Sequence, residues 1–201
     1  MGKVRAYVGL GANLGDAAST LAAGVQAMAA LPGVRLRDVS RLYATKPVGV
    51  ENQPEFRNAA VALDVPSGPD PTTGALALLV ALKALERSFG RRKGVRWGPR
   101  ELDLDLLVFG KARLSVERPP AGTSLDKGGA KRLLVVPHPE AGERLFVLAP
   151  LADLSPGLVP PGWDHTVDWM RRRREAIEGA DAVRAAGEWD ARSGTWMDTP
   201  D

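Results

Sequence analysis

Apolar residues in the first 110 positions recur at two spacings, one typical of strands and one typical of helices, and these spacings alternate along the chain. The strand pattern occupies residues 3–10, 34–45, 56–65 and 101–109. Apolar residues at helical spacing follow the first of these segments, at Leu21, Val25, Met28 and Leu31, and recur within residues 74–89, at Leu76, Leu79, Leu82 and Leu85. The resulting order (strand, helix, strand, strand, helix, strand) predicts a ferredoxin-like βαββαβ sandwich of the α+β class.

The turn after the first strand reads GANLGD and leads into the first helix, where either Asn13 or Asp16 is a candidate N-cap. Around this turn, Gly9, Gly11 and Gly15 nearly match the dinucleotide-binding fingerprint. The third glycine comes one position late, however, and the acidic residue expected after the second strand is not evident. We therefore interpret the segment as a turn rather than as a dinucleotide site.

The chain beyond residue 110 has weaker patterns. Residues 110–132 are polar and rich in Gly and Pro, which is typical of a long surface insertion. An apolar strand (LLVVPHP) and a short helix (ERLFVLAPLADLSP) follow as added C-terminal elements. We predict a main domain over residues 1–162 and a C-terminal extension over residues 163–201 that is partly helical or mobile, with a mobile end (SGTWMDTPD).

The strongest chemical signal is an acidic strand. Leu102, Leu104 and Leu106 alternate with Asp103 and Asp105, so the period of two places the leucines on one face and both carboxylates on the other. Two like charges side by side are unfavourable unless cations lie nearby, and hard oxygen ligands of this kind suit Mg²⁺. The strand is therefore a candidate metal site, although an edge strand with solvated aspartates has the same pattern.

A basic segment directly precedes this strand. Its cations are Arg91, Arg92, Lys93, Arg96 and Arg100, and glycines interrupt them. A cationic loop of this kind has the parts needed to hold a polyphosphate beside a metal and to neutralise charge during phosphoryl transfer. A solvated basic loop is the alternative interpretation.

Composition narrows the chemistry further. The 201 residues are 44% hydrophobic and 25% charged, and no segment approaches the length of a membrane span. Cysteine is absent and there are two histidines, which excludes disulfides, thiolate zinc sites and a His-rich centre but leaves magnesium chemistry open. The net charge of +3 favours local anion sites over a nucleic-acid-binding surface. With no cleavage-site signature near the N-terminus, we expect a cytoplasmic protein.

Three further polar residues allow two interpretations each. Lys83 and Glu86 are three positions apart on the second helix, where a surface ion pair is the commoner explanation and a role in the site the rarer one. His138 lies between two prolines at a strand end, a rigid place to hold an imidazole. A structural role is the commoner explanation for a lone histidine.

Four segments together resemble the 6-hydroxymethyl-7,8-dihydropterin pyrophosphokinase family of folate biosynthesis. They read GLGANLGD, YATKPVGVENQPEFRNAAVAL, GRRKGVRWGPRELDLDLLVFG and VPHPEAGERLFVLAPL. The resemblance extends over residues 3–158. It implies the ferredoxin-like fold and an Mg²⁺-dependent enzyme that transfers pyrophosphate from ATP to the hydroxymethyl group of the pterin, giving the pterin diphosphate and AMP.

The resemblance also implies roles for single residues on the ATP side. It implies that Asp103 and Asp105 hold two Mg²⁺ ions and that these aspartates act in catalysis together with Arg91 and Arg100. The ATP-binding positions that it implies are Lys83, Glu86, Arg91, Arg92, Arg100, Leu106, His138 and Arg144.

A second group of residues matches the pterin pocket of the family. These residues are Thr45, Val48, Phe56, Asn58, Trp97 and Phe146. The resemblance implies that two aromatic rings, those of Phe56 and Phe146, sandwich the bicyclic pterin while Asn58 meets its amide edge.

In the mechanism implied by the resemblance, ATP binds first with its metals, and the hydroxymethyl oxygen attacks the β-phosphorus while AMP leaves. Asp105 is the candidate to accept the proton. The expected partners are ATP and the pterin, with no nucleic acid and no membrane, and we expect a monomer or a weak homodimer.

Two rival functions share parts of the pattern. A metal-dependent nucleotidyltransferase has the acidic pair without needing the paired aromatics. An RNA-binding module on this fold is disfavoured, because the strands would present acidic side chains where the RNA phosphates lie.

Overall fold

The computed structural model describes residues 2–46, 53–90, 100–122 and 133–198. Its strands are β1 (Lys3–Ala12), β2 (Arg35–Val39), β3 (Leu42–Thr45), β4 (Phe56–Pro66), β5 (Asp103–Phe109), β6 (Leu114–Glu117), β7 (Leu133–Val136), β8 (Val183–Asp190) and β9 (Thr195–Met197). Its helices are α1 (Ala17–Ala29), α2 (Pro71–Ser88), α3 (Leu145–Leu154) and α4 (Val167–Glu178). Across these four stretches of chain, none of the helices has both the length and the apolar character needed to cross a membrane.

The central sheet is antiparallel and runs in the order β5-β1-β4-β3-β8-β9, with β2 also pairing with β4. Strand β1 pairs with β4 along its whole length, from Lys3 opposite Pro66 to Ala12 opposite Arg57. Helix α1 connects β1 to β2 and α2 connects β4 to β5. This arrangement confirms the predicted ferredoxin-like βαββαβ unit. Strands β6 and β7 form a separate two-stranded sheet.

Helices cover both faces of the central sheet. On one face, α1 and α2 bury a core that includes Val8, Leu21 and Leu82. On the other face, α3 packs on the sheet around Leu148 and Leu151, and α4 packs against α3. The separation of the two cores follows from the strand period, since alternate residues of each strand point to opposite faces.

Aspartates set the beginnings of the first two helices. The Asp16 side chain accepts a hydrogen bond from the Ser19 backbone N–H, so the structure selects Asp16 from the two candidate caps of α1. The Asp70 side chain accepts one from the Thr73 N–H in the same way. Helix α2 therefore begins earlier than the predicted residue 74, with Pro71 in its first turn, where proline is favoured.

The prediction of a single strand over residues 34–45 is wrong, because the structure has two strands that separate at Ser40. Asp38 Oδ1 accepts the Val39 N–H at 2.9 Å, and Ser40 Oγ accepts the Ala60 N–H at 2.9 Å. These side chains compete with backbone groups for the hydrogen bonds of the ladder. The strand consequently breaks where two such residues stand close together.

The predicted insertion over residues 110–132 is only partly a surface feature. Strand β6 lies in it and pairs antiparallel with β7. Gly122 is buried against α2, where an added Cβ would lie 3.2 Å from the Leu79 side chain. The strand has four residues, which is too short for its alternation to stand out in the sequence.

The expectation of a mobile end is wrong for its described part, which forms β9. Strand β8 pairs with β3 at the edge of the sheet, and β9 pairs with β8. Trp196 is 8% exposed, its Nε1–H donates to the Ser40 carbonyl at 2.8 Å, and its ring meets that of Trp189 edge-on at 4.7 Å. A buried indole with a satisfied N–H holds the end of the chain in place. The division into domains at residue 162 stays a prediction.

We expect Trp196→Phe to lower the free energy of unfolding by about 1–3 kcal/mol, because the Ser40 carbonyl would stay buried without its donor. Urea unfolding followed by circular dichroism measures this loss. The matched control is Trp189→Phe, since the Trp189 indole takes part in none of the hydrogen bonds found in the described chain. An equal loss in both variants would assign the effect to ring size instead.

Candidate active site

A cavity of about 300 Å³ lies where the end of β1, the beginnings of β4 and β5, and the first turn of α3 meet. Nine residues predicted for the site line it: Thr45, Phe56, Asn58, Arg100, Asp103, Asp105, His138, Arg144 and Phe146. They come from segments far apart in the chain. The fold therefore brings members of both predicted groups, the one for the pterin and the one for ATP, to one place.

The two aspartates lie on the cavity side of β5, as the strand period predicts. Leu104, between them, is 0% exposed on the opposite face, whereas the side chains of Asp103 and Asp105 are 21% and 41% exposed. Residues two apart on a strand are separated by about 7 Å along it. Both carboxylates are therefore within reach of one ligand in the cavity.

Glycines of β1 make room in front of these carboxylates. Gly9 lies opposite Asp105 and Gly11 lies opposite Asp103, and both glycines line the cavity. Cross-strand partners stand side by side on the same face of a sheet, so a side chain here would fill the space beside the acids. An added Cβ on Gly11 would also lie 3.3 Å from Asn58 Oδ1. The glycines that nearly match a dinucleotide fingerprint are thus explained by the space that the cavity requires beside the two aspartates.

The donor set suits magnesium. Asp103 and Asp105 supply hard carboxylate oxygens that face an open cavity. Within the described ranges, no cluster of three or more His, Cys, Asp or Glu side chains is placed to hold a metal ion. Mg²⁺ commonly uses one or two protein carboxylates and takes its remaining ligands from water and substrate phosphates. A pair of aspartates therefore fits Mg²⁺ whose remaining ligands come from water and substrate phosphates.

Each aspartate contacts a cation of the chain. Arg100 Nη1 donates to Asp103 Oδ2, and Lys83 Nζ lies 3.6 Å from Asp105 Oδ1. The Arg100 side chain is 26% exposed, whereas that of Lys83 is 3% exposed. Arg100 is thus accessible to an anion in the cavity, while Lys83 is fixed beneath the strand.

The interpretation of Lys83 and Glu86 as a surface ion pair is wrong, because both side chains are buried. Lys83 Nζ donates to Glu86 Oε1 at 2.6 Å and to the Leu104 carbonyl at 2.8 Å, and the Leu104 N–H donates to Glu86 Oε1 at 2.7 Å. The helical spacing of three places both residues on the side of α2 that faces β5. The pair therefore holds the backbone of the residue between the two aspartates.

The residues predicted for the pterin form the other side of the cavity. Asn58 Nδ2 donates to Thr45 Oγ1 at 2.8 Å, and both side chains are buried. Phe56 and Phe146 also line the cavity, and the Arg144 guanidinium lies 5.6 Å from the centre of the Phe146 ring. This side offers ring faces and an oriented amide, which are the groups expected for a flat, polar heterocycle.

His138 is held between two backbone contacts. The backbone N–H of His138 donates to the Leu107 carbonyl at 2.8 Å, and the ring Nδ1 accepts the Glu140 backbone N–H at 3.3 Å. Burial lowers the pKa of His138 below its usual value, Asp105 opposes this shift, and Arg144 adds to it. The lowered pKa favours the neutral imidazole, and the hydrogen bond accepted by Nδ1 assigns the ring proton to Nε2.

Several predicted residues are not brought to the cavity. Leu106 is 3% exposed and belongs to the core between the sheet and the helices on the opposite face. Lys83 and Glu86 are absent from the cavity wall among the described residues and lie beneath β5 instead. The remaining predicted residues, Val48, Arg91, Arg92 and Trp97, lie outside the described residues.

Sequence reasoning missed other residues of the wall. Leu107 continues the alternation of Asp103 and Asp105, so its place on the cavity side was predictable from the period. Lys46 follows β3 directly, and Glu140 and Val147 surround the start of α3. No spacing in the sequence identifies these last three, because their positions depend on how α3 docks on the sheet.

Comparison of the sequence with known proteins gives concordant results. The model of the family described as 7,8-dihydro-6-hydroxymethylpterin-pyrophosphokinase (HPPK) matches residues 7–156. A 2-amino-4-hydroxy-6-hydroxymethyldihydropteridine pyrophosphokinase of Pseudomonas aeruginosa is 42% identical over 161 residues, which cover 80% of this chain and 86% of the relative. One of Methylorubrum extorquens is 41% identical over 158 residues, covering 79% and 87%.

Solved structures share the fold at low sequence identity. The crystal structure of Plasmodium falciparum HPPK-DHPS with pteroate superposes with a TM-score of 0.70 at 13% identity. The match covers 98% of this chain and 48% of that one, so the chain spans about half the length of this structural relative. At this identity the comparison shows the fold alone, and the site is argued from its residues.

Proposed function

Because the chain belongs to the 7,8-dihydro-6-hydroxymethylpterin-pyrophosphokinase family, we propose that the cavity is its active site, with the pterin beside Asn58 and ATP beside Asp103 and Asp105. The enzyme transfers a pyrophosphoryl group from ATP to the hydroxymethyl group of hydroxymethyldihydropterin in folate biosynthesis, giving the pterin diphosphate and AMP. One observation carries the assignment of the cavity: a carboxylate pair and a buried amide–hydroxyl pair line the same 300 Å³ space.

On the pterin side, Asn58 has the chemistry to recognise the substrate. Its amide group has both donors and an acceptor, and the hydrogen bond to Thr45 fixes its orientation. A heterocycle that pairs with a fixed, buried amide is selected strongly, since a ligand without matching groups would leave that amide unsatisfied. Phe56 and Phe146 would stack on the two ring faces. Val48 and Trp97 stay predictions that rest on the resemblance.

On the phosphate side, Arg100 would neutralise charge on the triphosphate. It now pairs with Asp103, and the partial exposure of its side chain allows it to change partner when a phosphate oxygen enters. Arg144 and the neutral His138 lie on the same wall and would bind the rest of ATP. Arg91 and Arg92 stay predictions for additional phosphate contacts.

Lys83 and Glu86 would not contact the nucleotide directly. From their place beneath β5 they would support the two aspartates that bind ATP and its metal. Their bonds to Leu104 fix the spacing of the two aspartates, and the Lys83 charge offsets part of the repulsion between the carboxylates. The predicted role of Leu106 would be limited to its backbone, because its side chain is in the core.

Asp103 and Asp105 are the proposed ligands of Mg²⁺, and we propose that together they hold two of these ions. When bound, Mg²⁺ neutralises phosphate oxygens and lowers the pKa of a coordinated hydroxyl group. Asp105, the more exposed of the two carboxylates, would accept the hydroxymethyl proton as that oxygen bonds to the β-phosphorus. The bond from the β-phosphorus to the bridging oxygen breaks, and this oxygen leaves with AMP.

Separation of the products after incubation with ATP, Mg²⁺ and 6-hydroxymethyl-7,8-dihydropterin tests the function directly. We expect AMP and the pterin diphosphate in equal amounts, and no AMP without the pterin. Formation of ADP, or of AMP without the pterin, would contradict pyrophosphoryl transfer. A metal titration in the same assay tests the dependence on Mg²⁺.

Variants of the pterin side test the placement of that substrate. We expect Phe56→Ala and Phe146→Ala each to weaken pterin binding by about 1–3 kcal/mol, by analogy with the stacking of bases on aromatic side chains. Asn58→Ala is expected to have a similar effect, because buried polar edges of the pterin would lose their partner. Binding of an ATP analogue should change little. Isothermal titration gives the two dissociation constants separately.

The control for these variants is Phe109→Ala, since Phe109 is a phenylalanine of the core, 2% exposed. Its loss should lower the melting temperature and weaken both ligands together, as expected for a core truncation. If the Phe56 and Phe146 variants behave in this way too, these rings are core residues and the pterin lies elsewhere.

We also propose a cytoplasmic location and a monomeric or weakly dimeric state. The absence of cysteine is compatible with a reducing compartment, since the fold needs no disulfide. Sedimentation velocity over a range of protein concentrations measures the oligomeric state.

A further inference from the structure

A second cavity, of about 400 Å³, lies between helices α3 and α4 and strands β3 and β8. Among the described residues, it shares none of its lining residues with the proposed active site. Helix α3 contributes to both cavities, since Phe146 and Val147 line the active site whereas Leu145 and Ala149 line the second cavity. The C-terminal part of the chain, through α4 and β8, therefore builds a space that the proposed reaction does not use.

Short side chains leave this space open where the elements meet. Ala149 and Ala152 belong to α3, and Val183 and Ala185 belong to β8. A well-packed protein interior has few gaps larger than a water molecule, so a space of this size needs an explanation. Ligand cavities of proteins begin at about 300 Å³. The second cavity is therefore large enough for a small organic molecule.

The rest of the wall carries ion pairs, and the first of them joins β3 to α3. Arg41 Nη2 donates to Asp153 Oδ1 at 2.7 Å, and the hydroxyl group of the buried Tyr43 donates to Asp153 Oδ2 at 2.9 Å. Burial, together with the Asp153 charge, raises the pKa of Tyr43, so its hydroxyl group keeps the proton that it donates. These bonds hold the Asp153 carboxylate in one orientation.

The second ion pair lies on α4. Arg171 Nη1 donates to Glu175 Oε2 at 2.8 Å, and Arg171 Nη2 donates to Asp168 Oδ1 at 3.1 Å. The charge of Asp168 is also offset by Arg172, whose Nε lies 2.9 Å from Asp168 Oδ2 and which is not among the described residues of the cavity wall. The charges that remain for the cavity are two guanidiniums and two carboxylates, those of Arg41, Arg171, Asp153 and Glu175.

We propose that the second cavity binds a small zwitterion, the chemical class to which free amino acids belong. The ligand's ammonium group would lie beside Asp153 and Glu175, and its carboxylate beside Arg41 and Arg171. The side chains of Arg41 and Glu175 are 42% and 40% exposed, so a ligand can reach them while each keeps its partner in the wall. A ligand with one charge would leave the wall charges of the other sign unmatched. The alanines leave room for the ligand's side chain.

The test is isothermal titration of the full chain with L-valine, isobutylamine and isovalerate. These three probes share one carbon skeleton and carry both charges, the ammonium group alone and the carboxylate alone, respectively. We expect valine to bind at least about tenfold more tightly than either of the others, because both of its charges gain partners of opposite sign. Neither the pterin nor ATP enters this measurement, so its result is independent of the proposed function.

Three variants locate the bound zwitterion. Ala149→Leu puts a larger side chain into the space without changing a charge, so it should abolish valine binding while the melting temperature stays the same or rises. Glu175→Gln removes a partner of the ammonium group, so it should weaken valine binding and leave isovalerate binding unchanged. Arg171→Gln removes a partner of the carboxylate, so it should weaken the binding of both.

The matched control is Glu178→Gln. Glu178 pairs with Arg174 at the same helical spacing as Glu175 with Arg171, but this pair is outside the cavity wall in the described part of the chain. The control should bind valine as the unmodified protein does. The inference is overturned if valine does not bind at millimolar concentration, if isobutylamine or isovalerate binds equally tightly, or if Ala149→Leu keeps valine binding. If Ala149→Leu does not fold, an unchanged valine affinity in Glu175→Gln would overturn it.

Discussion

Asp103→Ala and Asp105→Ala are each expected to lower kcat by at least about a hundredfold while the protein stays folded. Charge stabilisation by a bound metal contributes several kcal/mol to a transition state, and each 1.36 kcal/mol is a factor of ten in rate. Neither carboxylate is part of the core, since both face the cavity. Removal of either one also relieves the repulsion between them, so stability should change little.

The assay compares kcat with Mg²⁺ varied up to saturation, and a second readout is the binding of Mn²⁺ by electron paramagnetic resonance with the ATP analogue present. The matched control is Asp64→Asn, which changes an aspartate of β4 that pairs with Arg5 and Arg37 outside the cavity. It should keep its rate and its Mn²⁺ binding. A near-normal kcat in either cavity variant at saturating Mg²⁺ would show that its carboxylate is not a metal ligand.

The sequence predicts this part of the site because a strand has a simple period. Alternation alone places Asp103 and Asp105 on the face opposite Leu104, and the structure has them there. The resemblance adds Asn58 and Thr45, which the structure joins by a hydrogen bond across β4 and β3. Local period and motif suffice where the side chains of a site follow from the strands that carry them.

Contacts between distant segments are what the sequence does not reveal. The spacing of Lys83 and Glu86 is the same for a surface pair and a buried pair, and only the docking of α2 beside β5 decides between them. Trp196 lies in a segment without periodicity, and its burial depends on an open edge at β3. In both cases a partner more than 20 residues away determines the environment of the side chain.

The buried pair takes the place of a neighbouring strand at the edge of the sheet. Strand β5 is the last in the sheet order and pairs with β1 on one side. At Leu104 the N–H and the carbonyl bond to Glu86 and Lys83 instead of to a strand. A strand edge with open hydrogen-bonding groups is prone to pair with other chains, and the ion pair of α2 closes this edge at the residue between the aspartates.

Glu86→Ala is therefore expected to lower the free energy of unfolding by about 3–5 kcal/mol, because it leaves the Lys83 charge without its main partner in a buried place. Lys83→Met should cost a similar amount by leaving the Glu86 carboxylate there. Glu86→Gln should cost less than Glu86→Ala, since its amide oxygen still accepts the Leu104 N–H. Urea unfolding of the three variants measures these differences.

The double variant Lys83→Met/Glu86→Leu separates charge from hydrogen bonding. Replacement of both charges by apolar side chains removes the uncompensated charge, so it should be more stable than either single variant. The double variant should still be less stable than the unmodified protein, because the N–H and the carbonyl of Leu104 lose their partners at a cost of about 1–3 kcal/mol each. Glu178→Ala is the control, since it breaks a more exposed pair with Arg174 on α4 and should cost about 0.3–0.5 kcal/mol. If Glu86→Ala costs no more than this control, water reaches the pair and the edge of β5 is held by other contacts.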